Sequence, residues 1–149
     1  MMKYFSIMAA ICTMCLMTAC NSDKKEIARV AQGYLDATGN YLVEEAMPYA
    51  NKETREVTLP FLRDKLIPMT PQEYMESNTP ATIELGEISV KGDTAMVCYT
   101  KTTPIKVLEN EIMVVKEEGQ WLVYVPLVLP EDIAVDCQPA SISKAPSEE

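Results

Sequence analysis

The hydrophobic pattern of this chain predicts an α+β fold, with N-terminal helices packed on a curved antiparallel sheet. Three observations carry that expectation. Ile27, Val30, Ala31, Tyr34 and Leu35 recur at i, i+3, i+4, i+7 and i+8, which lays one apolar stripe along a helix. After Pro80 the period falls to two, as in a sheet that buries one face. Lys91-Gly92-Asp93 and Glu117-Glu118-Gly119-Gln120 are tight-turn signals between such segments, so successive strands pair as hairpins. Helices first and hairpin strands afterwards is the order of an α+β domain.

The chain opens with Lys3 and then runs from Ile7 to Ala19 without a charge, ending at Leu16-Met17-Thr18-Ala19-Cys20. A basic start, a short apolar run and a small residue before the cut form the layout of a secretory signal over residues 1–19. These 13 uncharged residues fall short of the roughly 20 needed to span a bilayer. With Cys20 directly after Thr18-Ala19, the stretch resembles a bacterial lipoprotein signal and its lipobox, with Met17 where leucine is more usual. The resemblance implies acylation of Cys20, by diacylglycerol and palmitate, and a lipid anchor in the bacterial cell envelope. Residues 20–25 then form a polar tether, with Asn21 to Lys25 at most about 18 Å long when extended. Asn21 is not the aspartate associated with inner-membrane retention in some bacteria, so the expected address is the outer membrane.

A single domain is expected over residues 26–137. Its first helix starts at Glu26 and stops at Thr38-Gly39-Asn40, with Gly39 free to take the left-handed conformation. Tyr41 to Ala50 reads as a second short helix with Leu42, Ala46 and Met47 inward, and Pro48 limits its regularity. Asn51 caps a third segment that carries Val57, Phe61, Leu62 and Leu66, with Pro60 forcing a kink or restart. Thr70-Pro71-Gln72-Glu73 is a capping-box signal for a last turn over Pro71 to Glu76.

In the strand half, Ile83 and Leu85 alternate, then Ile88 and Val90 alternate in the opposite phase. Gly86 at the slip marks a β-bulge that bends the strand. Thr94 to Lys101 returns with Ala95, Val97 and Tyr99 on one face. Val107 to Lys116 and Trp121 to Val125 complete the sheet, and residues 138–149 read as a disordered acidic tail.

Composition narrows function. Removal of residues 1–19 leaves 130 residues, one compact domain, with 12 basic and 22 acidic side chains. Such a surface repels phosphate backbones and anionic headgroups, so nucleic acid is not an expected partner. Membrane attachment must then come from acyl chains. With no histidine in the chain, Ser-His-Asp and Cys-His hydrolases and histidine metal sites are excluded. Cys12 and Cys15 leave with the signal and Cys20 is the lipidation residue, which leaves Cys98 and Cys137 as a candidate disulfide. The alternative is two separate thiols, with Cys98 buried as a small apolar residue. Glu117-Glu118 and Glu131-Asp132 lack the ligand spacing of a calcium loop, so no metal and no cofactor is expected.

Thr38-Gly39-Asn40-Tyr41 with Glu44-Glu45-Ala46, then Gly92-Asp93-Thr94-Ala95-Met96-Val97, then Gly119-Gln120-Trp121-Leu122-Val123 occur in this order. Together with the lipobox they resemble nuclear transport factor two (NTF2)-like lipoproteins, many described as lumazine-binding-like or of unknown function. The resemblance covers Glu26 to Val125 and implies a cystatin-like cone, a curved sheet wrapped on a long helix around a pocket. Three prolines between Thr58 and Tyr74 and the extension Leu127 to Cys137 depart from the pattern. In such a cone Tyr34, Tyr99 and Trp121 either line a pocket for an apolar ligand or fill it as core. Enzymes of this fold, such as ketosteroid isomerase-like proteins, hold an acidic base inside the cone. Here Glu84, Glu87, Glu109 and Glu111 fall between inward apolar positions or near strand ends, and Asp93 lies in a turn. The expectation is a non-enzymatic envelope lipoprotein that binds a small apolar ligand or an envelope protein. A cone-pocket isomerase or dehydratase is the alternative, and a structural subunit of an envelope assembly is a third reading.

Overall fold

The computed structural model describes residues 3–128, with side chains from residue 21 onward. It has the α+β architecture expected: helices on one face of a four-stranded antiparallel sheet of order β1-β2-β3-β4. Helix α1 runs over Lys3–Gly39. Its expected start at Glu26 is therefore corrected, and residues 20–25 continue the helix instead of extending as a tether. No glycine or proline stands between Lys3 and Gly33, so nothing in the covalent structure interrupts the hydrogen-bond ladder.

The stop of α1 is displaced as well. Tyr41, at φ 62, takes the left-handed position instead of Gly39. The Leu42 amide donates to the Ala37 carbonyl at 2.9 Å and the Tyr41 amide to the Thr38 carbonyl at 3.2 Å, the paired bonds of a Schellman stop with Tyr41 outside the last helical turn. Gly39 lies against the start of the sheet, where a Cβ would make ordinary contact with Ala81 Cβ at 3.4 Å and Lys101 Cε at 3.7 Å. Asn40 fastens this end to the sheet, donating to the Ala81 carbonyl at 3.1 Å and accepting from the Ala81 amide at 2.8 Å.

The second helical stretch divides into α2 (Val43–Ala46) and a 3₁₀ turn, Met47–Tyr49. Val43 is buried and Leu42 is exposed, contrary to the inward Leu42 expected. Asn51 does cap the third segment, its Oδ1 accepting from the Thr54 amide at 3.0 Å. That segment alternates wide π turns, Thr54–Thr58 and Leu62–Leu66, with α3 (Leu59–Phe61) and α4 (Ile67–Met69). Each π turn ends just ahead of a proline pair position, at Leu59-Pro60 and Ile67-Pro68. The residue before each proline donates five positions back, to Thr54 and Leu62, which relieves the clash an α turn would force on the ring. The widening shifts the inward phase, so Leu59 is fully buried while Val57 and Leu66 are exposed. Helix α5 spans Gln72–Ser77 with no side-chain cap. The capping box expected at Thr70 does not form, since its hydroxyl turns back to the Leu66 carbonyl.

The strands match the sequence pattern within a residue or so: β1 Thr82–Lys91, β2 Thr94–Thr102, β3 Val107–Glu117 and β4 Gln120–Tyr124. Leu85 pairs with Tyr99 and Ile88 with Val97, so one extra residue sits in β1 at Gly86, the bulge expected. Gly92 and the pair Glu118-Gly119 take positive φ in the two hairpin turns, as tight hairpins require. Helix α1 lies across the sheet, and Ile27, Val30, Ala31, Tyr34 and Leu35 pack on Ile83, Ala95, Val97, Ile112, Val114, Trp121 and Val123. The free edge of β4 is covered by the chain after the 3₁₀ turn. Ala50 bridges Val123, the Asn51 amide donates to the Val123 carbonyl, and Thr58 Oγ1 donates to the Val125 carbonyl at 2.6 Å. Such cover removes an edge open to unwanted strand pairing.

Candidate functional site

Cys20 lies on the backbone of α1. One turn further, Asp23 Oδ1 stands 3.9 Å from Lys116 Nζ on β3, which sets this part of the helix beside the β3–β4 hairpin. Among the described residues no helix is long and apolar enough to cross a membrane.

Between α1 and the sheet, two of the three aromatic residues, Tyr34 and Trp121, are core. Trp121 is 3% exposed and Tyr34 5%, and both belong to the buried cluster, with Tyr99 packed partly buried against it. Burial, with Tyr99 as the second cause, pushes the Tyr34 phenol up to about 12. Burial likewise raises Tyr99. The Trp121 indole is covered by Lys116, whose Nζ stands 5.5 Å from the ring centroid, and its buried Nε1 has no hydrogen-bond partner among the described residues. Tyr34 of the helix stripe and Trp121 of the sheet thus belong to one buried cluster between α1 and the strands. The buried polar residues described are Asn51, Thr54, Asn78 and Thr103, none of them a carboxylate. Glu84, Glu87, Glu109 and Glu111 are all exposed.

The outer face of the sheet divides into two halves. Beside the bulge, Gly86, Cys98, Tyr99, Thr100, Glu109, Asn110 and Glu111 line an open groove of ≈ 340 Å³, so that of the three expected pocket residues Tyr99 contributes to a surface groove. Cys98 is exposed there, not buried as a small apolar side chain, because the strand phase that buries Val97 turns it outward. Its expected disulfide partner Cys137 lies outside the described residues. Nearer the hairpins, Met96 pairs with Met113, Met113 with Tyr124, and Val115 with Leu122. These five side chains share the face away from α1 and are each partly exposed, an apolar stripe that sequence periodicity does not mark as functional.

One group of residues was not singled out by sequence. Lys101 continues the inward phase of Ala95, Val97 and Tyr99 on β2, a period-two signal open to reading, and it is partly buried. Lys106 Nζ donates to Tyr74 Oη at 3.0 Å, a contact between segments 32 residues apart that no local pattern reveals.

No protein-family model and no curated protein sequence matches the chain. Among solved structures it is similar to an NTF-2 like protein of unknown function from Shewanella oneidensis MR-1, with a TM-score of 0.46 and 14% sequence identity over 68% of this chain and 93% of that one.

Proposed function

We propose that this chain is a lipid-anchored module of the bacterial envelope, acylated at Cys20, expected in the outer membrane, and working by binding instead of catalysis. The observation that carries the reading is the pairing of a filled cone with an apolar outer sheet face. Trp121 and Tyr34 occupy the space a substrate would need, whereas Met96, Met113, Val115, Leu122 and Tyr124 offer partly exposed apolar surface on the side away from the helices. Interface cores favour such methionine and aromatic side chains. An envelope protein is accordingly the favoured partner over a small apolar ligand in the cone. The cone-pocket isomerase or dehydratase reading would need an acidic base facing a cavity, and the four strand glutamates face solvent.

The anchor is tested by Cys20→Ala with fractionation and intact mass. The expected result is loss of membrane partition and of the acyl mass. Retention in the membrane fraction at an unchanged mass would refute the lipoprotein reading.

A further inference from the structure

The β2–β3 connection and the C-terminal end of α1 meet at the end of the sheet opposite the two tight hairpins. We propose that this end is a binding site for an anionic oxygen group, a carboxylate or a phosphate, carried on an apolar body.

The cationic half of the site is Lys101 and Lys106. Lys101 lies in the inward phase of β2, where its stem passes beside Gly39 at the end of α1: a Cβ on that glycine would stand 3.7 Å from Lys101 Cε. Burial, and then the neighbouring Lys106, make the Lys101 ammonium easier to deprotonate. Two cations brought together with one partly buried repel each other, and an anion between them relieves that repulsion. Among the described residues neither lysine takes part in an ion pair. In a chain with 13 basic and 22 acidic residues, two neighbouring lysines without a carboxylate are an exception to the general charge pattern.

Two phenols complete the polar set. Tyr74 Oη accepts from Lys106, which leaves its own O–H free to donate. Tyr41 lies close enough that Tyr74 and Lys106 both bear on its ionisation, and it is held at φ 62, a strained place for a side chain of this size. The loop is pre-formed: Thr103, 7% exposed, accepts from the Lys106 amide through Oγ1 at 3.2 Å and donates its own amide to the Lys106 carbonyl at 2.8 Å. Apolar surface adjoins the charges. Leu108 stands opposite Lys101 in the sheet register, and Ile105 is 60% and Leu108 45% exposed. A free inorganic anion would leave that surface in water; an anion on an apolar body would cover it.

The test titrates the full chain with phenylbutyrate, phenyl phosphate and the neutral phenylbutanol, followed by calorimetry and by amide shifts at Ile105 and Lys106. The anions are expected to bind about tenfold or more tightly than the alcohol, and Lys106→Gln to weaken them about tenfold, the scale of one charge-assisted hydrogen bond. Lys101→Gln should act in the same direction. Lys106→Gln is the decisive variant because its side chain is outside the core. The tighter of the two anions identifies the headgroup. Binding of phenylbutanol as strong as that of the anions, anion affinity unchanged in Lys106→Gln, or no binding of either anion would overturn the proposal.

Discussion

Tyr34 and Trp121 show what burial does to a polar group on a large side chain. The ordinary phenol value of 10.0 is pushed up to about 12 at Tyr34. As pH rises through about 10, the unfolded chain gives up this proton while the folded chain keeps it, so the unfolded state binds fewer protons and stability falls. The contribution is whole below that value and is lost toward pH about 12, amounting to ~2–3 kcal/mol. Urea denaturation across this alkaline window is expected to show a steeper loss in the wild type than in Tyr34→Phe, and parallel curves would refute the assignment. Trp121 is 3% exposed, and Trp121→Ala is expected to cost about 3–5 kcal/mol by the same measurement. Trp121→Phe should cost much less, because the Nε1 it removes has no partner among the described residues. An unchanged midpoint for Trp121→Ala would mean that the indole is not part of the core. The inward place of Trp121 was legible in the sequence, since it alternates with Val123 on one strand. The orphan Nε1 was not, because it depends on which atoms of other elements surround the ring.

At the scale of elements, close approach explains what propensity left open. Gly33 lies inside α1, about two turns before its end at Gly39, where glycine weakens a helix by about 1 kcal/mol relative to alanine. The Tyr49 ring of the 3₁₀ turn packs on its backbone, so that an added Cβ would stand 2.6 Å from Cε1 and Cε2 of the ring. Gly33→Ala is therefore expected to destabilise by about 1–3 kcal/mol despite its better helix propensity. Tyr49→Ala in the same chain should convert the substitution to a neutral or stabilising one, which a double-mutant cycle by urea denaturation measures. The strands were nearly complete from sequence because alternation and turn residues are local signals. The segment from Thr54 to Met69 was misread in phase because its two π turns respond to Pro60 and Pro68 through backbone geometry, which side-chain periodicity assumes to be regular. The left-handed stop likewise lies two residues beyond Gly39, at Tyr41, next to Asn40, which two hydrogen bonds hold to Ala81.

For the whole molecule, the proposed export would place the outer sheet face in an oxidising compartment. Cys98 is exposed on that face, so a bond to Cys137 would not disturb the core. In an oxidising envelope, where a disulfide oxidase takes up the electrons, the two thiols are expected to join with loss of two hydrogens, detected by intact mass and thiol alkylation. Closing the loop from Cys98 to Cys137, about 40 residues, stabilises by about 4 kcal/mol in the chain-entropy account. Two alkylatable thiols in protein isolated from the envelope without reductant would exclude the bond. The apolar stripe from Met96 to Tyr124 and the lysine pair at the far end of the sheet lie on different parts of the same scaffold, so the proposed protein contact and the proposed anion site would not compete for one surface.

The sequence by itself determined the α+β order, the strand phases, the bulge at Gly86 and the buried stripe of α1 with its inward partners Ala95, Val97 and Trp121, because each follows from side-chain period and turn chemistry within one element. Only the tertiary structure decided that the Trp121 Nε1 is left without a partner among the described residues, that α1 stops at Tyr41, and that Tyr74 meets Lys106. Those outcomes depend on contacts between segments far apart in the chain, which no local pattern encodes.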